Sequence, residues 1–530
     1  MKHTKRIAAL FLSAALMLGM LAGCGKQDDE MALRVSLPEG IETLDPAMVT
    51  TDTEKIVVSH IFENLMKLSN DGEGGVQAVN GLARNYQCEE NLDGTETYTF
   101  TLRNNVKWSD GNPVTAEDFV YAWQRLISPD TASPNAELLD MVAGYQDARS
   151  SGDVSYLQVS APDEKTLTVV LSHHCSYFVE EICTSPATMP VRSDAVEEEN
   201  WSMSAGTLVT NGAYRNVQSW QDNTLSVSAE EDYYGYRRLG PKTLDFLFFD
   251  EPEADFRLGL TADEIKNCPK TWQPDPYPQV TAVVINQMDN NTNDEKLRQA
   301  MSLVIDRTAL TELLPVGSSR PAEGLIPLGM RSAVGSEFRT VAGPQIDNSP
   351  EGYARSCEMA QERIKGLTMP GINNVTLLYE SVPEMDLVAK NLQKTWSEKL
   401  HLSVALRPMR GEEMTAALES GDFVAALVQL GSDRNDPIGM LAGWCSGDSR
   451  NWANLYSSAY DLLIRVSNNA ADTEARDAYL TDAEKMLLED GHMIPLYYGT
   501  TTSFLKEGLT GLIYDGMGVY HFSGVVKQKN

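Results

Sequence analysis

A mixed organisation of helices and strands, α/β or α+β, is what the sequence predicts, and three observations predict it. Segments with the strand period of two alternate along the chain with segments carrying the helical period of 3.6. No block recurs at a fixed interval, which argues against solenoids and propellers. The length of 530 residues is enough for roughly two to four folding units, each with a core of its own.

Taken in order, the elements begin at Met31. Leu33, Val35 and Leu37 alternate with polar residues as in a short strand, Leu44-Asp45-Pro46 marks a loop, and Ile56, Ile61 and Leu65 carry helical spacing. The stretch NDGEGG at 70–75 reads as a loop. Strands are predicted at 86–90 and 97–103, joined as a hairpin through Asn91-Leu92-Asp93-Gly94; in the second, Tyr98, Phe100 and Leu102 alternate with threonines. Asp110-Gly111 supplies a turn, and Thr115 followed three places later by Asp118 has the form of a capping box. The helix it opens puts Phe119, Ala122, Trp123 and Leu126 on one face, with Pro129 beyond its end and Trp108 and Trp123 expected in the core. Further on, Leu297, Ala300, Met301 and Val304 give helical spacing within 295–310. Asp472 caps and Gly491 stops another helix, and MIPLYYG at 493–499 reads as a buried strand.

The net charge is −32. Such a surface repels phosphate backbones and anionic head groups, so nucleic acid is a poor partner. Apart from Cys24 there are six cysteines, Cys88, Cys175, Cys183, Cys268, Cys357 and Cys445, too few for a disulfide framework in a chain of this length, and no pairing follows from their spacing. His173-His174-Cys175 with Cys183 offers imidazole and thiolate donors, but its spacing fits no zinc pattern. Neither a metal nor a cofactor is expected.

The first residues carry Lys2, Lys5 and Arg6, and the uncharged run Ile7 to Leu21 is shorter than the roughly 20 residues of a comfortable membrane span. It reads as an export signal. Leu21-Ala22-Gly23-Cys24 resembles the bacterial lipobox, which implies cleavage before Cys24 and lipidation of its thiol. GKQDDE at 25–30 is then a polar tether, and palmitate-type acylation by more than one chain would be needed for stable retention. The expected location is extracytoplasmic, on the cell membrane or facing a periplasmic space.

LARNYQCEENLDGTETYTFTLRNNVKWSDGNPVTAEDFVYAWQRLISP, from Leu82, closely resembles the signature of the extracellular solute-binding proteins of peptide ABC importers, family 5, the oligopeptide- and dipeptide-binding family. LDPAMVTTDTEKIVVSHIFENLM, NGAYRNVQSW, DYYGY, LRQAMSLVIDRTAL, GDFVAALVQLGSDRNDP and AEKMLLEDGHMIPLYY are similar to its other blocks in the same order, so the likeness runs from about 31 to 525.

The resemblance implies an α/β, two-lobed, periplasmic-binding-protein-like fold of type II, with an extra domain inserted in the first lobe. Carried onto this chain, lobe I is 31–62, 186–286 and 500–530, the inserted domain is 63–185 and lobe II is 287–499, with hinge crossings near 282–286 and 494–499. It implies a peptide held extended between the lobes by main-chain pairing, as an added strand is held, so that specificity is broad. Thr50 and Thr51 fall where the family makes first-lobe backbone contacts. An aspartate of the family meets the ligand ammonium, and Asp433 matches it within QLGSDRNDP. Without the resemblance, Asp433 reads as a turn residue capping the next helix.

Two positions depart from the family pattern: Leu430 stands for a tryptophan and Arg434 for a tyrosine. An aromatic wall is exchanged for an aliphatic chain and a guanidinium, which could neutralise Asp433 or hold an acidic ligand group by a bidentate bond. Asn135 and Leu138 likewise stand where relatives often carry tyrosines.

The leading expectation is a monomeric, lipid-anchored receptor that captures oligopeptides and presents them to a permease and its ATPase subunits. The same fold binding a metal complex, sugar or cell-wall fragment, or serving as a sensory coreceptor, remains an alternative. A secreted hydrolase is more distant, because GxSxG, HExxH and GxxxxGK[ST] are all missing from the sequence.

Overall fold

The computed structural model describes residues 31–70, 75–198, 200–221, 223–249, 251–289, 292–365, 367 and 374–528. The export signal, Cys24 and most of the 70–75 loop lie outside the described residues. Among the described residues no helix is long and apolar enough to cross a membrane.

Three sheets organise the chain. The first has the strand order Ser503–Leu505, Phe256–Leu258, Ala32–Leu37, Thr243–Phe248, Thr224–Ser228, Asn216–Gln221. Its centre is Ala32–Leu37, the strand read from Leu33, Val35 and Leu37, which pairs in parallel with both neighbours and buries all three side chains. The second sheet has the order Ser319–Pro321, Met493–Thr501, Asp275–Ile285, Ala425–Gly431, Asn374–Glu380, Ser403–Met409. The third is an antiparallel sheet of four strands within 83–171, opened by the hairpin Ala83–Glu90 and Glu96–Leu102. Its core and that of the first sheet form one continuous apolar cluster. The second sheet has separate clusters on its two faces.

The connection between the two six-stranded sheets follows from the sheet register. Asp275–Ile285 pairs along its length inside the second sheet, and Met493–Thr501 runs antiparallel beside it, with Asp275 opposite Thr501. The chain enters the second sheet at Asp275 and leaves it at Thr501 for Ser503–Leu505 of the first. Two adjacent segments therefore join the units at 275 and 501, not at 282–286 and 494–499. AVVIN announces a buried strand, but an apolar run does not say to which sheet it belongs.

Local chemistry explains the remaining differences. The first helix runs Asp52–Ile61, capped by Thr51, whose side chain accepts from the Glu54 N–H. It stops before Leu65 because tertiary bonds take over: the Glu63 N–H donates to Asn211 Oδ1 at 3.0 Å, and the Leu65 carbonyl accepts from Gly81 at 3.0 Å. The helix Ala116–Ile127 starts where the capping box places it, with the Thr115 N–H donating to Asp118 Oδ2 at 2.8 Å. Trp108 and Trp123 are both buried, the latter donating to the Thr188 carbonyl at 2.9 Å. The 295–310 segment divides into Glu295–Leu303 and Arg307–Thr311, because Asp306 caps the second piece by accepting from the Ala309 N–H at 2.9 Å. The later helix, Thr473–Glu489, begins after Asp472 as expected.

Buried His60 joins the first helix to the C-terminal segment. Its Nδ1 lies 2.7 Å from the Ile56 carbonyl, and its Nε2 accepts from the Phe522 N–H at 2.9 Å. That pattern requires the neutral ring with its proton on Nδ1. Burial lowers its pKa to about 4, despite the opposing bond to Ile56. The folded value lies below the unfolded one, so the associated stability is intact above about pH 6.5 and is lost as pH falls toward 4. The His60 imidazole resonances are expected to stay at their neutral positions down to pH 5; NMR titration showing a midpoint near 6.5 would contradict this arrangement.

Candidate functional site

Between the first sheet, the inserted four-stranded unit and the second sheet lies a cavity with about 790 Å³ of empty space including its open mouth. Lys55 reaches it from the Asp52–Ile61 helix, Glu180 and Glu181 from the turn Phe178–Ile182, Asp433 and Arg434 from the loop after Ala425–Gly431, and Asp515 from the C-terminal segment. Segments more than four hundred residues apart in sequence thus line one space, brought together by the crossings at Asp275 and Thr501.

Asp433 opens into this cavity with its side chain 44 % exposed, while Arg434 beside it is only 7 % exposed. Arg434 bridges the two sides. Its Nη1 donates to Asp140 Oδ1 and to the Tyr177 hydroxyl, both at 3.2 Å, and Nη2 donates to the Glu137 carbonyl at 3.0 Å. Its Nε lies 3.5 Å from Asp433 Oδ1, a longer approach than that to Asp140. Burial works against the guanidinium charge, but Tyr177, Asp140 and Asp433 around it more than restore it, and its pKa stands well above the usual value. A second bridge, Arg450 Nη1 to Glu137 Oε2 at 3.2 Å, lies on the same side.

Asn135 and Leu138 also line the cavity. Leu430 does not: it sits opposite Val280 inside the second sheet and is buried in the apolar core there. Its side chain extends that core where an indole would need more room. Asp436 is turned away from ligand space, bound on both oxygens by Arg476 at 2.8 and 2.9 Å.

Thr50 and Thr51 line another hollow, of about 820 Å³, beside the strand crossing, with Tyr277 and Thr500 to Thr502. The N–H groups of both threonines already donate to Glu54 Oε2, at 3.0 and 3.2 Å, and the Thr51 carbonyl accepts from Lys55. No hydrogen bond to the Thr50 carbonyl is seen among the described residues, so it is the main-chain group left for an incoming strand.

Sequence reasoning missed Lys55, Glu181, Arg331 and Asp515. Burial first, then the carboxylate of Asp52, raises the Asp515 carboxyl to about 7, against two backbone donors and Lys55. Burial also raises Glu181, to about 8, opposed by Arg331 and aided by Asp515, Asp436 and Glu180. His174 Nδ1 lies 2.7 Å from Glu96 Oε1 and His173 Nδ1 lies 2.9 Å from Ser172 Oγ. Among the described residues, no three His, Cys, Asp or Glu side chains are grouped to hold a metal ion.

Two sheet-based units joined by a pair of adjacent strands, with a charged cleft between them and a small domain inserted in the first, define a two-lobed ligand-binding protein. Residues 77–452 match the model of the bacterial extracellular solute-binding proteins, family 5 (middle), and the chain belongs to that family. It is 28 % identical to the periplasmic oligopeptide-binding protein OppA of Escherichia coli K12, over 96 % of each chain. It is 23 % identical to the dipeptide-binding protein DppE of Bacillus subtilis 168, over 98 % of each. The fold is that of the type II periplasmic peptide-binding proteins. The unliganded open form of the periplasmic murein tripeptide-binding protein MppA superposes with a TM-score of 0.78 at 25 % identity, over 95 % of this chain and 98 % of that one.

Proposed function

We propose that this chain is the substrate-binding component of an ABC importer, taking extended oligopeptides into the cleft and delivering them to a permease. On this reading it binds without catalysis or cofactor, works as a monomer and is held outside the cytoplasm by lipid on Cys24. Lobe I comprises the first sheet, lobe II the second, and the inserted domain the four-stranded sheet. The observation that carries the reading is the cavity itself. Asp433 from one side and Lys55 from the other face a common space, with charges of both signs for a zwitterionic guest. Asp433 is assigned to the peptide ammonium and the Thr50 carbonyl to a main-chain N–H of the guest. Arg434 holds the inserted domain to lobe II and limits the space beside Asp433, while Leu430 supports the loop from behind. A ligand that prefers the closed arrangement would shift the lobes toward it, which is the signal a permease can read.

Calorimetry of unliganded protein against a pool of tri- to pentapeptides tests this. Binding at micromolar Kd or tighter, about −8 kcal/mol, is expected, and an N-terminally acetylated pool is expected to bind at least tenfold more weakly. Equal binding of the two pools would remove the amine site. The guanidinium of Arg434, standing beside Asp433 where the family pattern has an aromatic side chain, favours one second reading, a non-peptide solute in the same cleft. A non-peptide mass retained through gentle purification would replace the first reading with this one.

A further inference from the structure

Two carboxyl groups in the cleft, those of Glu181 and Asp515, have no cation hydrogen-bonded to them among the described residues. Four carboxylates line the cavity, Glu180, Glu181, Asp433 and Asp515, against three cations, Lys55, Arg331 and Arg434. Two of the cations are committed. Arg331 Nη1 pairs with Glu180 Oε2 at 3.3 Å while its Nη2 donates to the Val76 carbonyl. Arg434 is held by Asp140, Tyr177 and the Glu137 carbonyl, with Asp433 as a further neighbour. The third, Lys55, lies close enough to Asp52 and Asp515 to favour the charged form of each. One Asp515 oxygen accepts from the Met517 and Val519 N–H groups at 2.7 and 3.0 Å. The other accepts no hydrogen bond among the described residues, and the same is true of both Glu181 carboxyl oxygens.

Glu181 is fixed where it stands. Its N–H donates to the Tyr177 carbonyl at 2.8 Å, and its own carbonyl accepts from the Ser185 N–H at 3.0 Å. The Asp515 carbonyl accepts from Asn435 Nδ2 at 3.0 Å, and Asn435 Oδ1 accepts from the Arg331 N–H at 3.0 Å. The inserted domain and the C-terminal segment therefore present these carboxyls to one space, with Asn435 of lobe II bonded to the backbone of Asp515. Half-burial with no cation bonded to it favours the protonated form of a carboxyl, and a ligand cation that pairs with it favours the carboxylate.

We propose that Glu181, with Asp515 beside it, is the subsite for a positively charged side chain of the bound peptide, a lysine, arginine or diamino acid. This rests on the cleft being the peptide site. The raised pKa of Glu181 gives the subsite a proton signature. At pH 7 the empty subsite holds a proton on Glu181, and a cationic side chain displaces it. Of the groups facing Glu181, Asp515, Asp436 and Glu180 raise its pKa, and Arg331 lowers it. Affinity for the basic peptide therefore rises with pH from 6 toward 8 and levels above the value of the empty site.

The probe is a set of alanine pentapeptides carrying a single lysine, or its uncharged analogue norleucine, at each position in turn. At one position lysine is expected to bind about tenfold tighter than norleucine, and in Glu181→Gln that ratio collapses to within about twofold. Calorimetry of the wild-type protein at pH 7 in buffers of different ionisation enthalpy is expected to show proton release with the lysine peptide and none with norleucine, a readout that does not depend on the variant folding. Equal affinity of lysine and norleucine at every position, a preference that survives Glu181→Gln, or the absence of proton release overturns the subsite while leaving the cleft a peptide site. Failure of every peptide to bind overturns both.

Discussion

Glu484→Ala is expected to destabilise the protein by about 3–5 kcal/mol, the usual result of breaking a buried ion pair from one side. The Glu484 side chain is fully buried and its partner Arg339 is 4 % exposed. Oε1 accepts from the Leu325 and Ile326 N–H groups at 2.7 and 2.9 Å and from Arg339 Nη2 at 2.5 Å, and Oε2 accepts from Arg339 Nη1 at 3.0 Å. Truncation strands a buried guanidinium and two main-chain donors at once. The site is filled without slack, since a Cβ at Gly324 would come within 2.5 Å of both Glu484 Oε1 and Arg339 Nη2. Equilibrium unfolding in urea measures the loss; a change below 1 kcal/mol would show that the pair is not closed in solution. Glu484→Leu combined with Arg339→Met is expected to recover a large part of the loss, because the double replacement removes both charges together.

This pair also shows where sequence patterning stops. In Thr473–Glu489 the cap at Asp472 was legible, but Arg476, Asp477 and Glu484 are all buried within the helix. A helical face that buries ions has no clean apolar stripe, so periodicity places the helix and misreads its inner side. The reverse holds for Ala32–Leu37, Glu96–Leu102 and Ala116–Ile127, where alternation or capping and burial agree residue by residue. The strand crossing was half legible. Both apolar runs were recognised as strands, whereas their register, with Asp275 opposite Thr501, depends on pairing partners some two hundred residues away.

The cleft was less legible than the fold for the same reason. Asp433 and Arg434 could be reached through a local motif, QLGSDRNDP, in which the spacing of Asp and Pro survives. Glu181 sits in SYFVEEI and Asp515 in LIYDGMG, where one or two carboxylates among apolar residues resemble any surface turn. What sets them apart is that they share one cavity with no cation hydrogen-bonded to either among the described residues, and that is a property of the assembled chain. At Thr50 and Thr51, which the resemblance places at first-lobe backbone contacts, the carboxylate of Glu54, one turn on, already accepts from both N–H groups, which no local motif announces.

Asp433→Ala is expected to weaken binding of free-amine peptides by about 2–4 kcal/mol, roughly 30- to 1000-fold in Kd. The Asp433 carboxylate is half exposed, and Arg434 Nε approaches it at 3.5 Å without a hydrogen bond, so it keeps acceptor capacity for an ammonium. Closure over a peptide removes water from both charges, and the pair then replaces hydration that neither could recover alone. Acetylating the peptide removes the other partner, so the two changes form a cycle. If the carboxylate meets the amine, acetylation costs the wild-type protein about as much as the substitution does, and costs Asp433→Ala little further. An acetylation penalty of the same size in both proteins would place the ammonium elsewhere in the cleft and leave Asp433 as a partner of Arg434 alone.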